Sequence, residues 1–235
     1  MGLPYGAGLD SGVGMNKLKA GIADTGHYRL RTKCRGVTMA GGVRILRINT
    51  AGIPVEWLSW QQAVCLHARE LVSWTYGEEV MSVHGGHSRM TGEQTVVTLN
   101  SILACRGKVF GDSGKQPPLT NRALFRRDQN VCLYCGNRFE ESALSRDHVT
   151  PISRGGLDIW TNVVTSCKRC NARKGNILLE ECRMELLALP YQPNHAEYLA
   201  LSHSGRILGD QMAFLRKQFS SNSRLLRDRE FLNTS

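Results

Sequence analysis

Two Cys-x-x-Cys pairs, Cys132 with Cys135 and Cys167 with Cys170, bracket a stretch that also holds Asp147, His148, Asn162 and Asn171. Four thiolates suit a closed tetrahedral zinc site, because zinc is a borderline-soft ion that sulfur ligands can satisfy completely. Asp147, His148 and Asn171 bring harder oxygens and one imidazole, which suit a reactive centre instead. The two donor sets are interleaved, so one can hold the chain while the other acts.

The spacing implies a unit built between the two cysteine knuckles. Thirty-one residues separate Cys135 from Cys167, more than the roughly 15 to 20 of a simple zinc ribbon. Leu144 to Thr150 reads as a short strand, Ser153 to Gly156 as a turn, and Ile159 to Val164 as a second strand. A short helix from Cys167 to Lys174 follows, with Gly175 as its C-cap. The expected order is strand, loop, strand, helix.

Written as Asp147-His148, thirteen residues, Asn162, eight residues, Asn171, the pattern resembles the HNH endonucleases with a ββα-metal core, with Asn at the third signature position. The knuckles, Arg154-Gly-Gly156, Trp160-x-Asn162 and Cys170-Asn-x-Arg-Lys-Gly175 are similar to the zinc-stapled bacterial branch of that family. The likeness covers residues 120–180, and a weaker one extends from Val43 to Trp60. The resemblance implies a metal-dependent hydrolase that cuts DNA to a 5′-phosphate and a 3′-hydroxyl. It also implies that Asn171 stands where the family places a second protein ligand for the catalytic cation, and that Asn162 pins the long loop and so orients His148.

Phosphodiester hydrolysis needs an in-line nucleophile, neutralisation of new charge and fixed geometry. An imidazole with its unperturbed pKa near ~6.5 is a competent base at neutral pH, which qualifies His148. On an extended strand Asp147 points to the opposite face, where it can hold a cation. Oxygens from Asp147 and Asn171 suit Mg²⁺ or Mn²⁺. Arg122, Arg126, Arg127, Arg154, Arg173 and Lys174 are candidates to meet phosphates. A solvated basic face is the alternative for these residues, and for Lys174 a complement to the helix C-terminus.

The net charge of +10 divides as +5 over residues 1–121, +4 over 122–183 and +1 over 184–235. Such a balance favours a polyanionic partner, although charge alone equally serves solubility, and it is the resemblance that implies double-stranded DNA. No apolar run reaches the roughly 18 residues of a membrane span, and the N-terminus lacks a signal-peptide pattern, so a cytoplasmic location is expected. Cys34, Cys65, Cys105 and Cys182 are scattered singly, which fits reduced thiols. One core of this type cuts one strand, so duplex cleavage calls for a homodimer or for two events.

The elements that position the site form an expected α+β chain: a ββα-metal nuclease core with a four-cysteine zinc site, preceded by a small α/β region and followed by short helices. Residues 1–42, with ten of the 24 glycines, read as a mobile arm. Arg29, Arg31, Lys33 and Arg35 alternate there as a solvated tail or as one face of a strand. An α/β region over 43–111 starts with a strand at Val43, and Ser59 caps a helix from Trp60 to Leu71. Short β runs follow at Val80–Val83 and Thr95–Leu99. His84 and His87 read as loop residues rather than ligands, and Trp57, Trp60 and Trp74 as core rather than base-stacking platforms. A linker at 112–119 leads to the nuclease unit at 120–183, and a helical tail fills 184–235, with helices expected at Ile177–Leu189, His195–Leu201 and Leu208–Phe219. Two further functions stay open: a non-catalytic zinc-dependent nucleic-acid-binding module, and an RNA-cleaving or toxin-like nuclease.

Overall fold

The structure, a computed structural model, describes residues 42–107, 116–203, 205–221 and 223–227. The expected arm up to residue 41 and the first part of the expected linker lie outside the described residues. In chain order the elements are β1 (Arg44–Asn49), β2 (Pro54–Ser59), α1 (Trp60–Ala68), β3 (Val72–His87), β4 (Gln94–Cys105), α2 (Asn121–Arg127), β5 (Leu144–His148), β6 (Val163–Cys167), α3 (Lys168–Lys174), α4 (Leu179–Cys182), α5 (His195–His203) and α6 (Gly209–Arg216).

The first four strands form a sheet in the order β2-β1-β4-β3, parallel only between β1 and β4. The central strands are apolar on both faces. Leu46, Ile48, Ile102 and Ala104 face one layer, while Ile45, Leu99, Leu103 and Cys105 face the other. Two-sided burial of this kind needs near-continuous apolar runs, which β1 and β4 supply. α1 covers the second face through Ala63, Val64 and Leu66. Its start is a capping box, in which Ser59 and Gln62 satisfy each other's backbone N–H groups at 2.8 and 3.3 Å.

Several expectations are corrected in this region. α1 stops at Ala68 rather than Leu71, because the backbone at Glu70 turns left-handed with φ +57°. Pro54–Ser59 is an edge strand that propensity did not reveal, with Pro54 at its first position, where a missing N–H is tolerated. The two short β runs belong to one long hairpin, β3–β4, and this places His84 and His87 in a strand. Trp57 is buried and Trp60 packs at the core margin, but Trp74, on the other edge strand, is 41% exposed.

The C-terminal helices complete the N-terminal sheet. Ala196, Leu199, Ala200 and Leu201 of α5, Met212 and Leu215 of α6, and Leu225 pack on Leu46, Ile48, Trp57, Ile102 and Ala104. Polar pins fix their registry: Trp57 Nε1 donates to the Leu199 carbonyl at 3.0 Å, and the buried Gln211 Nε2 donates to the carbonyls of Arg44 and Ser101 at 2.9 and 2.8 Å. The helix expected over Ile177–Leu189 shrinks to α4, four residues ended by Arg183 at φ +54°. No helix among the described residues is long and apolar enough to cross a membrane.

The second unit is the β5–β6 hairpin with α3 and α2 packed against it, built on Leu124, Phe125, Leu144, Trp160 and Val163. The second strand begins at Val163, not Ile159, because Ile159 to Asn162 closes a turn with Asn162 N–H donating to the Ile159 carbonyl at 2.9 Å. Pro117, at the end of the expected linker, is buried and accepts from Trp160 Nε1 at 2.7 Å. Arg127 is the lock of this unit. Fully buried, it pairs with Asp128 at 2.9 Å and donates to the carbonyls of Trp160, Val163 and Tyr191 at 2.8 to 2.9 Å. Asp128 in turn accepts from Thr165 N–H of β6 at 2.9 Å.

Removing one partner of a buried, fully hydrogen-bonded ion pair strands the other. Arg127→Ala should therefore cost about 3–5 kcal/mol of stability, read as a large fall in melting temperature. The exposed Arg122→Ala should leave the melting temperature near that of the parent, and equal stability of the two variants would refute the lock.

Candidate active site

The Sγ atoms of Cys132, Cys135, Cys167 and Cys170 all lie within 4.8 Å of one another, the only such cluster among the described residues. A Zn–S bond of about 2.3 Å places tetrahedral sulfurs roughly 3.8 Å apart, so the donor set fits zinc. The knuckles are shaped by their backbones. Gly136 adopts φ +75° and donates to the Cys132 carbonyl at 2.9 Å, and Cys170 N–H donates to Cys167 Sγ at 3.4 Å. Burial raises the Cys132 thiol, but hydrogen bonding from the backbone of Cys167, Cys135 and Tyr134 outweighs it and brings the group down to about 7. Burial, then the neighbouring Cys167 and Cys132, pushes Cys170 up to about 12. Four such crowded thiols ionise together only around a cation.

β5 separates two chemistries by its pleat. Asp147 faces inward and is 5% exposed, whereas Arg146 and His148 flank it on the outer face. The Asp147 carboxylate accepts from the Tyr134 hydroxyl and lies 3.4 Å from Lys174 Nζ. Burial, followed by the hydrogen bond to Asp147, raises the Tyr134 phenol far above its ordinary range, so it remains a donor. On the outer face His148 Nε2 lies 2.9 Å from Asp158 Oδ1, and Arg146 holds both Asp158 oxygens at 2.7 and 2.8 Å. Burial opposes ionisation of Asp158, but these contacts with Arg146 and His148 prevail and lower its pKa.

Asn171, on α3, faces β5. Its Nδ2 donates to Ser145 Oγ at 2.9 Å and more loosely to the Arg146 carbonyl at 3.4 Å, which leaves Oδ1 available. Asp147, His148, Asn171, Arg146 and Asn176 line one open pocket of about 240 Å³. Asn162 lies beneath the connecting loop. Its Oδ1 accepts from Thr150 N–H at 2.9 Å, and its Nδ2 donates to the carbonyls of Thr150 and Leu157 at 3.0 and 2.8 Å. The loop leaves no room for a side chain at Gly156, where a Cβ would fall on the Thr150 carbonyl, and Gly155 takes φ +87°.

The six basic candidates divide. Arg122 and Arg173 are exposed, and Arg154 reaches solvent while pairing with Glu181 at 3.0 Å. Arg126 is half-buried and donates to the Leu201 carbonyl at 2.8 Å. Arg127 and Lys174 are corrected: both are fully buried, and their donors are committed to backbone carbonyls and carboxylates, so neither meets a phosphate. Asp158, Arg146 and Tyr134 escaped the sequence reading. A signal for Asp158 was present: Arg146 and His148, two residues apart on one strand face, call for a nearby anion.

A two-stranded hairpin and a helix thus surround a four-cysteine cluster, with Asp147, His148 and Asn171 at one pocket. Residues 132–187 match the model of the family described as HNH endonuclease. The match supports nuclease activity in general and a dependence on metal. No curated protein matches the chain.

Cys167→Ser should lower bound zinc and destabilise the hairpin and α3, because folding of so small a unit is coupled to its metal. Metal analysis and thermal melting check this, with the exposed Cys65→Ser as control. A variant that keeps its zinc and its melting temperature would exclude the cluster as a metal site.

Proposed function

We propose that this chain is a divalent-metal-dependent endonuclease that hydrolyses DNA phosphodiester bonds at the pocket beside β5. The observation that carries the reading is the convergence of Asp147, His148 and Asn171 on that one pocket, with Asp158 set against the imidazole. The zinc cluster is structural. Asp147 and the Asn171 Oδ1 hold the catalytic cation, and their oxygen chemistry suits Mg²⁺ or Mn²⁺. When bound, such a cation neutralises charge developing on the phosphate and the leaving oxygen.

The chain's own groups do the rest. A carboxylate only accepts, so Asp158 requires His148 Nε2 to carry the proton. Nδ1 is then the free lone pair that takes a proton from the attacking water. Asn162 and the two glycines keep the loop, and with it Asp158, at a fixed distance from the imidazole. Arg122, Arg154 and Arg173 guide the polyanionic backbone, and the net charge of +10 supports such a partner. We place the protein in the cytoplasm and assign the N-terminal sheet with its C-terminal helices to a domain separate from the nuclease unit. Duplex cleavage arises from two copies or from two successive nicks.

Supercoiled plasmid, linear duplex, single-stranded DNA and RNA, each incubated with Mg²⁺, Mn²⁺ or EDTA, test the substrate and metal assignments. Nicking of plasmid with either cation and none with EDTA is expected. Cleavage of RNA alone would overturn the DNA assignment, and duplex binding without cleavage under every metal would make the unit a binding module. His148→Ala should lose about 10²-fold or more in rate while retaining duplex affinity and its salt dependence. Undiminished cleavage would reject His148 as the base. Asn171→Ala should weaken the response to Mg²⁺ while zinc content stays unchanged, and wild-type rates at low Mg²⁺ would reject it as a ligand.

A further inference from the structure

The buried carboxylate of Asp147 has two side-chain partners, each delivered by a different zinc knuckle. Tyr134, between Cys132 and Cys135, donates its hydroxyl to Oδ2. Lys174, on the helix that carries Cys170, stands 3.4 Å from both carboxylate oxygens. An ammonium and a carboxylate left to themselves approach to about 2.7–2.9 Å, and little water reaches Asp147, which is 5% exposed. The wider gap has a geometric cause. Lys174 makes its short contact, 2.7 Å, with the His148 carbonyl, while the phenol of Tyr134 holds the carboxylate from its own side.

We propose that Tyr134 is a positioning residue whose hydroxyl keeps Asp147 from collapsing onto Lys174 and presents it to the pocket, so that the zinc knuckle's geometry sets the affinity for the catalytic cation. The inference rests on the reading of Asp147 as a ligand of that cation. It makes the cysteine cluster more than a staple. The knuckle that closes on zinc also carries the hydrogen-bond donor that orients the reactive carboxylate, and a partner of this kind behind a ligand governs metal affinity as strongly as many ligands do. Lys174 is the competitor: without the phenol, Asp147 forms a closed ion pair with it and leaves the pocket with one oxygen donor fewer.

The test is Tyr134→Phe in the full-length, zinc-loaded protein, which removes one oxygen and preserves the ring. Mn²⁺ binding is followed by the loss of the free-ion electron paramagnetic resonance signal, and plasmid nicking is measured across a Mn²⁺ series. The expected result is a Mn²⁺ dissociation constant raised about 10-fold, unchanged zinc content, and a nicking rate that recovers at saturating Mn²⁺. An unchanged Mn²⁺ affinity overturns the proposal. So does a loss of rate that no Mn²⁺ concentration restores, or a loss of zinc, since the phenol would then be serving the chemistry or the knuckle itself. Asp147→Ala runs alongside. If that variant binds Mn²⁺ as the parent does, the ligand assignment fails; if it loses binding while Tyr134→Phe does not, the positioning role alone fails.

Discussion

The β5–β6 hairpin unit holds its pocket on very little core. Two five-residue strands and a seven-residue helix cannot bury enough apolar surface to order themselves. Two devices substitute for that missing burial. The four-cysteine cluster ties the loop before β5 to the end of β6 and the start of α3, and the buried Arg127–Asp128 pair ties α2 to β6 and to the turn at Trp160. Both are directional, which suits a site where sub-ångström placement matters more than total stability.

The pleat of β5 then sorts charge. Inward, Asp147 sits in a low-dielectric niche with an ammonium and a neutral phenol; outward, Asp158 gathers Arg146 and His148 in partly exposed surroundings. Each carboxylate is matched by cationic or donor groups on its own side, so neither disturbs the other. The inner carboxylate serves as ligand and the outer one as orienting partner of the base under the proposed function. A single-residue slip of the β5–β6 register would exchange the two environments, which is why the cysteine at the end of β6 and the arginine lock both act on that strand.

Outside that unit, the described residues build a second structure from parts distant in sequence. The strands before the nuclease unit and the helices after it close on each other, so the unit is inserted between halves of one layered structure. Arg126 reaching the Leu201 carbonyl and Tyr198 packing beside Leu124 and Trp160 are where the two cores meet. Helix α5 thus serves both. That arrangement makes the C-terminal residues part of the support for α2, although they lie far from the pocket in sequence.

Local rules sufficed for what is local. Cysteine spacing specified the four-cysteine cluster, Ser59 announced a helix start and the glycines at 155 and 156 a turn, because each depends on a few neighbouring residues and their covalent geometry, while the order of Asp147, His148, Asn162 and Asn171 pointed to the ββα unit through a family resemblance. Side-chain solvation and partnership were decided only by the tertiary structure. Nothing in Arg122-Ala-Leu-Phe-Arg-Arg distinguishes an arginine facing solvent from one buried against three carbonyls, and a lysine ending a helix looks like a phosphate ligand until β5 is packed over it. Asp158, Tyr134 and the C-terminal helices belong with these cases. Their roles arise from contacts between residues distant in the chain, where the cost of leaving a buried charge or apolar face without a partner selects the arrangement.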